Sequence, residues 1–250
     1  MSEFFNTFFG IGFMQKYLLD HASLLHPALY VAMGVLSVLL MAIVAYLLGS
    51  LNFAIIISGR KYKEDIRSFG SKNAGMTNMM RTYGKSAAGW TLLGDAMKAI
   101  VSCLIGYAVF GEIGAYVSGL FCMMGHMFPL YYGFRGGKGV VTVAATILMC
   151  NPLVFAILFT MFVILVLLTK FISLGSVMCM LLFPLVLDRV NVFFVGQPPH
   201  IISLVSAIMM TVLVVLKHKE NIGRLLRGQE NKFSFKKSVK APESDQSDES

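Results

Sequence analysis

A short polar segment, residues 65–81, interrupts a chain that is otherwise rich in apolar residues. It reads DIRSFGSKNAGMTNMMR and contains two arginines, one lysine, two asparagines and two glycines. Arginine offers forked N–H donors that match phosphate oxygens, and the backbone N–H groups of a glycine-containing turn can bind an anion. The segment therefore predicts a site for an anionic ligand. Its candidate contacts are Ser71, Asn73, Asn78 and Arg81.

A second segment, residues 125–139, reads GHMFPLYYGFRGGKG and places a lysine among glycines. The backbone here could approach a ligand closely while Lys138 supplies a positive charge. The segment is not a nucleotide-binding P-loop, because that motif has Ser or Thr after its lysine and here Gly139 follows. A flexible turn whose lysine only fixes topology is the alternative. The candidate binding residues are Gly136, Gly137, Lys138 and Gly139.

A third segment, residues 217–230, reads KHKENIGRLLRGQE and follows the last apolar run. His218, Asn221 and Arg224 are spaced by three residues, so they would share one face of a helix. An amphipathic helix at the membrane surface explains the cations of this segment but explains Asn221 less well.

Several polar residues lie within or beside apolar runs. Ser173 and Ser176 begin one such run, where serines usually cap the helix. Asp95 and Lys98 share a face inside another run, and charges within a membrane are candidates for function, although a buried structural pair is equally expected. His126 is expected to be a hydrogen-bonded residue at the end of a span rather than a catalyst.

The elements that must position these segments are predicted to be membrane-spanning helices. Of the 250 residues, 56% are hydrophobic and only 14% are charged, whereas a soluble domain has about 25% charged residues. The apolar runs are continuous rather than alternating, which favours an all-α integral membrane protein over a β-barrel. The net charge of +8 suits cationic loops beside anionic lipid head groups. Nucleic-acid binding is not indicated, because the sequence has no basic stripe on a soluble domain.

No cofactor or metal is expected. The four cysteines lie in apolar runs without the spacing of metal ligands, and the five histidines form no ligand set.

About seven transmembrane helices are predicted, with the N-terminus outside and the C-terminus in the cytoplasm. Asn151-Pro152 divides one long run, because helices usually end before a proline. This division places nearly all basic loops on one face, which the positive-inside rule assigns to the cytoplasm. The first apolar run covers approximately residues 28–57, and the span within it is expected to end near residue 52. The other spans cover approximately residues 87–110, 113–132, 140–150, 152–169, 172–187 and 201–216.

Three regions are expected along the chain. Residues 1–27 are interpreted as an interfacial extension, residues 28–230 as the transmembrane domain, and residues 231–250 as a disordered, acidic tail.

The three polar segments together resemble the bacterial glycerol-3-phosphate acyltransferases that use acyl phosphate, the PlsY-type family. The resemblance implies seven transmembrane helices in the bacterial cell membrane, with the three motifs on the cytoplasmic side. It also implies transfer of an acyl chain from acyl phosphate to the 1-hydroxyl of glycerol 3-phosphate, giving lysophosphatidic acid and phosphate. The likeness rests on GSLNFAIIIS (49–58), DIRSFGSKNAGMTNMMRTYGK (65–85), GHMFPLYYGFRGGKGVVT (125–142) and HKENIGRLLRGQE (218–230), with DAMK (95–98) and SLGS (173–176).

The resemblance also implies roles for single residues. Ser71 and Arg81 match the essential serine and arginine of the first motif, and Lys138 with its flanking glycines matches the glycerol-3-phosphate loop. His218 and Asn221 match a catalytically important pair. Glu230 matches a structural glutamate, and Ser176 matches a site serine. The chain departs from the family pattern at Lys72, where glycine is usual, at Met76, where alanine is usual, and at Ala99, where DxxK is usually followed by glycine.

The expected mechanism needs no covalent enzyme intermediate, because an acyl phosphate is already an activated donor. The hydroxyl proton would pass to His218 or to an oxygen of a substrate phosphate, and the second fits the family pattern better. A monomer in contact with membrane lipid is expected. The alternative function is a transporter for an organic phosphate, but transporter sites tend to lie near the membrane midplane, whereas these motifs fall at one interface.

Overall fold

The computed structural model describes residues 11–24 and 26–233, and its regular elements in these ranges are all helical. Short 3-10 turns at Ile66–Ser68 and Leu130–Tyr132 and a π-helical turn at Asn191–Val195 lie between the α-helices. The α-helices are α1 (Phe13–Asp20), α2 (Pro27–Ser50), α3 (Phe53–Lys61), α4 (Met76–Tyr83), α5 (Lys85–Met127), α6 (Val140–Cys150), α7 (Pro152–Thr169), α8 (Ile172–Val190), α9 (Ile201–Lys217) and α10 (Lys219–Leu226).

Several of these helices are long and apolar enough to cross a membrane. Within the described residues, α9 reaches that length only together with α10, from which it is bent by 58°, and α6 has only 11 residues. This architecture confirms the expected all-α membrane protein. The four stretches that qualify alone are Pro27–Lys61, Lys85–Tyr132, Pro152–Thr169 and Ile172–Val195.

Helix α5 is two helices joined by a sharp reversal. Phe110 and Gly111 have non-helical backbone angles, with φ of 58° at Gly111. Gly106 and Gly114 would be about 12 Å apart along a straight helix. Instead, a Cβ atom on either glycine would collide with the backbone of the other. The two halves therefore fold back on each other, at the boundary that the sequence predicts between the second and third spans.

Asparagine residues mark two further breaks. The Asn52 side chain accepts a hydrogen bond from Ile55 N (3.2 Å), so the first long apolar run divides into α2 and α3. The Asn151 side chain accepts one from Val154 N (3.1 Å), which confirms the predicted division before Pro152.

The stretch predicted as the third span ends at Tyr132 in the structure too, but its α-helix ends earlier. Helix α5 ends at Met127, Phe128 leaves the helical conformation with φ of −130°, and the 3-10 turn Leu130–Tyr132 completes the stretch. Pro129 explains this early end, because a proline disfavours the α conformation of the residue before it.

The polar segments meet at one end of the helix bundle. Arg67 Nη1 donates to the carbonyl oxygens of Tyr132 (2.8 Å) and Arg135 (3.0 Å), and Phe233 N donates to Lys170 O (2.7 Å). The reversal of α5 lies at the opposite end, about 38 Å along the first half of that helix.

The interior between α5, α6, α8 and α9 is apolar and closely packed, with buried anchors at Tyr116, Met123, Phe183 and Met210. Helix α1 packs near the reversal of α5, where Gly12 lies against the backbone of residues 109–111. The interfacial role of residues 1–27 stays a prediction, and residues 1–10 lie outside the described part of the chain, as does most of the expected disordered tail.

Candidate active site

A buried carboxylate, Glu230, organises the polar end of the bundle. Its Oε1 accepts hydrogen bonds from Asn221 Nδ2 (2.6 Å) and Ser173 Oγ (2.8 Å), and its Oε2 accepts one from Arg224 Nε (2.7 Å). Burial raises the pKa of Glu230, but these three donors outweigh it and bring the pKa below its usual value. The side chain is 6% exposed, and the carboxylate is ionised at neutral pH.

Asn221 connects this carboxylate to a cation. Its side-chain oxygen accepts a hydrogen bond from Lys138 Nζ, while its amide nitrogen donates to Glu230. The two contacts fix the orientation of the amide. Burial, helped by the nearby charges of Arg224 and Arg81, lowers the pKa of Lys138 to about 8. Lys138 is therefore held as a partly desolvated cation that remains charged at pH 7.

Arg81 completes the cationic wall of the site. It lies on α4, and burial lowers the pKa of its guanidinium. Glu230 and Arg224 are close enough to shift this pKa further, Glu230 upward and Arg224 downward. Its guanidinium makes no hydrogen bond to any residue in the described part of the chain. Three cations therefore surround one carboxylate, which leaves a net positive charge suited to an anionic ligand.

His218 lies at the bend between α9 and α10, so it and Asn221 do not belong to one straight helix. Its Nδ1 donates to Val214 O (2.8 Å), which leaves Nε2 as a hydrogen-bond acceptor. Burial, opposed in part by the Val214 hydrogen bond, lowers the pKa of His218 to about 4. The imidazole is neutral at pH 7.

The first motif is an ordered loop held by Asn78. The Asn78 amide nitrogen donates to the carbonyl oxygens of Ile66 (3.2 Å), Phe69 (2.9 Å) and Asn73 (3.1 Å), and its oxygen accepts from Ser71 N (3.0 Å). Asn78 was expected to bind substrate, but its amide is fully used by the loop backbone. This geometry favours an ordering role for Asn78, whereas the exposed side chain of Ser71 remains available to a ligand.

The glycines of the second motif serve packing within the protein. A Cβ atom at Gly136 would meet Pro129 Cδ at 2.6 Å, and one at Gly137 would meet Ala74 O at 2.6 Å and collide with His126 Nε2. One at Gly139 would meet Met127 Cε at 2.6 Å. From the sequence alone, these glycines are expected to allow close approach of the backbone to a ligand. In the structure they let the backbone on either side of Lys138 pack against Ala74, His126 and Met127.

A buried charge network lies beneath this loop. Lys98 Nζ donates to Gly49 O (2.9 Å) and Leu51 O (2.8 Å) and contacts Asp95 Oδ1 (2.8 Å) and His126 Nδ1 (3.0 Å). Gly137 N donates to His126 O (3.1 Å), which connects the network to the second motif. Asp95 and Lys98 thus form the buried structural pair that the sequence allowed, and His126 is the expected hydrogen-bonded residue at the end of a span.

The structure brings Lys138, Asn221 and Glu230 into one hydrogen-bonded network, with Arg81 and His218 near it. It does not add Ser176, whose buried hydroxyl donates to Ile172 O (2.9 Å) within its own helix. The roles predicted for Ser176 and Asn73 stay predictions. Ser173 and Arg224 also belong to the network, although the sequence did not predict either as a site residue. For Arg224 the signal was its spacing of three residues from Asn221.

Glu230→Gln is expected to lower the free energy of unfolding by about 1.5–3 kcal/mol, because it removes the negative charge and replaces one acceptor oxygen by an NH2 group that would face a donor. Thermal unfolding of the purified protein measures this change. Glu220→Gln is the matched control, because Glu220 is an exposed carboxylate on α10. Equal effects of the two substitutions would contradict the organising role of Glu230.

Several known proteins are similar to this chain over most of its length. The family model described as glycerol-3-phosphate acyltransferase matches residues 39–228. A glycerol-3-phosphate acyltransferase from Finegoldia magna is 38% identical over 204 residues, covering 80% of this chain and 98% of that protein. One from Clostridioides difficile is 36% identical over 211 residues, covering 82% of this chain and all of that protein.

Two crystal structures are also similar, both of PlsY (YgiH), an integral membrane glycerol 3-phosphate acyltransferase. The glycerol 3-phosphate form has a TM-score of 0.71 and 34% identity, covering 79% of this chain and 96% of that one. The lysophosphatidic acid form has a TM-score of 0.69 and 33% identity, covering 81% and 98%.

Proposed function

The chain belongs to the glycerol-3-phosphate acyltransferase family, and we propose that it transfers a fatty acyl chain from acyl phosphate to the 1-hydroxyl of glycerol 3-phosphate. The products are lysophosphatidic acid and inorganic phosphate. The observation that carries this proposal is the excess of cations around Glu230, where Arg81, Lys138 and Arg224 face one carboxylate. Two phosphate-bearing substrates repel each other, and such a site offsets that repulsion.

In the proposed reaction, the 1-hydroxyl oxygen attacks the acyl carbon of the donor, the bond from that carbon to the phosphate oxygen breaks, and phosphate leaves. Lys138 and Arg81 bind the phosphates, and the hydroxyl of Ser71 offers a further donor. Asn221 and Glu230 position Lys138. An acyl phosphate already has a good leaving group, so the enzyme need not form a covalent intermediate.

The proton of the hydroxyl passes to a phosphate oxygen of a substrate. His218 is the weaker acceptor, because its pKa of about 4 leaves it little affinity for a proton at pH 7. Its Nε2 can instead accept a hydrogen bond from the hydroxyl and orient it. The alternative of an organic phosphate transporter is disfavoured, since the charged cluster lies at one end of the bundle rather than midway along the helices.

We further propose seven membrane crossings, with the two halves of α5 counted separately and α6 as a short, tilted or re-entrant span. The site end would face the cytoplasm of a bacterial cell, because it carries most of the basic loops. The N-terminus would then be outside and the C-terminus inside. The enzyme would act as a monomer.

Purified protein supplied with acyl phosphate and glycerol 3-phosphate should release phosphate and form lysophosphatidic acid in equal amounts. Acyl-CoA and acyl carrier protein, offered separately as donors, should support little transfer. Absence of phosphate release from folded protein in lipid would contradict the proposed function. Faster transfer from acyl-CoA would contradict the proposed donor.

The reaction should slow in alkaline solution. Burial lowers the pKa of Lys138 to about 8, so its charge is present below pH 8 and lost above it. We expect kcat/KM, which reports the free enzyme, to fall roughly tenfold per pH unit above about pH 8. The measurement is a pH profile of the wild type and of Lys138→Arg, whose guanidinium keeps its charge. Persistence of the same alkaline decline in an active Lys138→Arg variant would exclude Lys138 as its source.

A further inference from the structure

A basic cavity, separate from the Glu230 network, opens beside the first motif. It has a volume of about 560 Å³, and the residues that line it include Asp65, Arg67, Lys72, Tyr132 and Arg135. No residue of the Glu230 network lines it. We refer to it as the Lys72 cavity.

One ion pair in this cavity is fixed by the fold. Arg67 Nε lies 3.0 Å from both carboxylate oxygens of Asp65, and Arg67 Nη2 lies 2.7 Å from Asp65 Oδ2. The same guanidinium donates to the carbonyl oxygens of Tyr132 and Arg135. Arg67 and Asp65 therefore neutralise each other and hold the wall of the cavity in place.

The other two cations have no such partner. In residues 11–24 and 26–233, neither the Lys72 ammonium nor the Arg135 guanidinium forms a hydrogen bond or an ion pair with another side chain. Both side chains line the cavity and both residues are exposed. The cavity thus carries a net charge of about +2, which matches a phosphate monoester of about −1.5 to −2 at pH 7.

The backbone of Lys72 adopts the left-handed conformation, with φ of 56°. This conformation is strained for a lysine and unstrained for a glycine. Lys63, with φ of 57°, shares the conformation and is also exposed, but it does not line the cavity. Comparing substitutions of the two lysines therefore separates the effect of the cavity from the effects of charge and backbone strain.

The surroundings of the cavity indicate where its ligand comes from. Leu130, Tyr131 and Phe134 are 47–55% exposed, and they lie in the segment that joins α5 to α6 at the end of the membrane helices. Exposed aromatic residues at that position are typical of the membrane interface. Apolar residues beside a cationic cavity suit a ligand that has both a phosphate and acyl chains.

We propose that the Lys72 cavity binds the phosphate head group of an anionic membrane lipid, with Lys72 and Arg135 as the residues that contact the phosphate. Lipids with a phosphate monoester head group, such as phosphatidic acid, fit its charge best. This site is separate from the proposed acyl transfer, and its occupancy is measured without either substrate.

The test is binding of fluorescent phosphatidic acid to the whole protein in phosphatidylcholine nanodiscs. Lys72→Asn and Arg135→Gln should each weaken binding about fivefold, the effect of removing one interfacial cation. Asparagine tolerates the left-handed backbone, so Lys72→Asn should remain folded. Lys63→Asn is the matched control and should bind like the wild type, and Lys72→Arg should retain binding.

Two results would overturn the proposal. Equal weakening by Lys63→Asn and Lys72→Asn would reduce the effect to general surface charge. Displacement of the lipid by inorganic phosphate at the same concentration would identify a site for free phosphate instead of a lipid head group. Loss of binding in Arg135→Gln but not in Lys63→Asn would support the proposal even if Lys72→Asn were unstable.

Discussion

Replacing Lys138 by alanine should lower the rate of acyl transfer by about two to three orders of magnitude, the usual effect of removing one preorganised charged donor. Lys138 Nζ is fixed by Asn221, which is in turn held by Glu230. The cation is thus in place before substrate arrives, and little reorganisation is needed as charge moves onto the leaving phosphate. The substitution removes only a partly buried side chain, so the helices should remain folded.

Steady-state kinetics on purified Lys138→Ala measures this effect, with thermal unfolding to confirm the fold. Lys219→Ala is the matched control, because Lys219 is an exposed lysine at the start of α10. A kcat/KM within tenfold of wild type would contradict the role given to Lys138.

The second large effect concerns stability. Lys98→Met should lower the free energy of unfolding by about 3–5 kcal/mol, because it leaves Asp95 as a buried carboxylate without its cation. Asp95 and Lys98 are 2% and 5% exposed, so water cannot replace the lost partner. The carbonyl oxygens of Gly49 and Leu51 at the end of α2 would also lose their donor.

Thermal unfolding in detergent measures this change, and the double variant Asp95→Leu, Lys98→Met provides the control. The double variant should be more stable than Lys98→Met alone, because it buries no unpaired charge. If the single variant unfolds within 1 kcal/mol of wild type, the network does not hold these helices together.

The breaks between helices could be predicted from the sequence because each has a local cause. At Asn151-Pro152, a capping side chain precedes a residue that cannot continue the helix before it. At Phe110-Gly111, the glycine accepts the positive φ that the reversal requires. Hydropathy does not locate the end of α5 at Met127, because the apolar pattern continues past Pro129 to Tyr132. Hydropathy shows where a chain can be buried, but the proline decides where the helix stops.

The site was only partly predictable, because its network joins residues that are far apart in the chain. Ser173 and Glu230 are 57 residues apart, and Lys138 and Asn221 are 83 apart. Local spacing indicated that these residue types suit an anion, but it could not show that Ser173 rather than Ser176 reaches Glu230. Asn78 illustrates the same limit, since its four backbone partners depend on how the loop folds.

The position of Glu230 beyond the last membrane helix has a consequence for biosynthesis. Arg81 and Lys138 are synthesised well before the last helices. Glu230, whose carboxylate orients Asn221, is synthesised only after α10. A chain that stalls during synthesis, or whose final helix fails to insert, therefore holds the cations without their organiser. If Glu230 orients the site as proposed, activity would begin only after α10 and Glu230 have been synthesised and have reached the other polar segments.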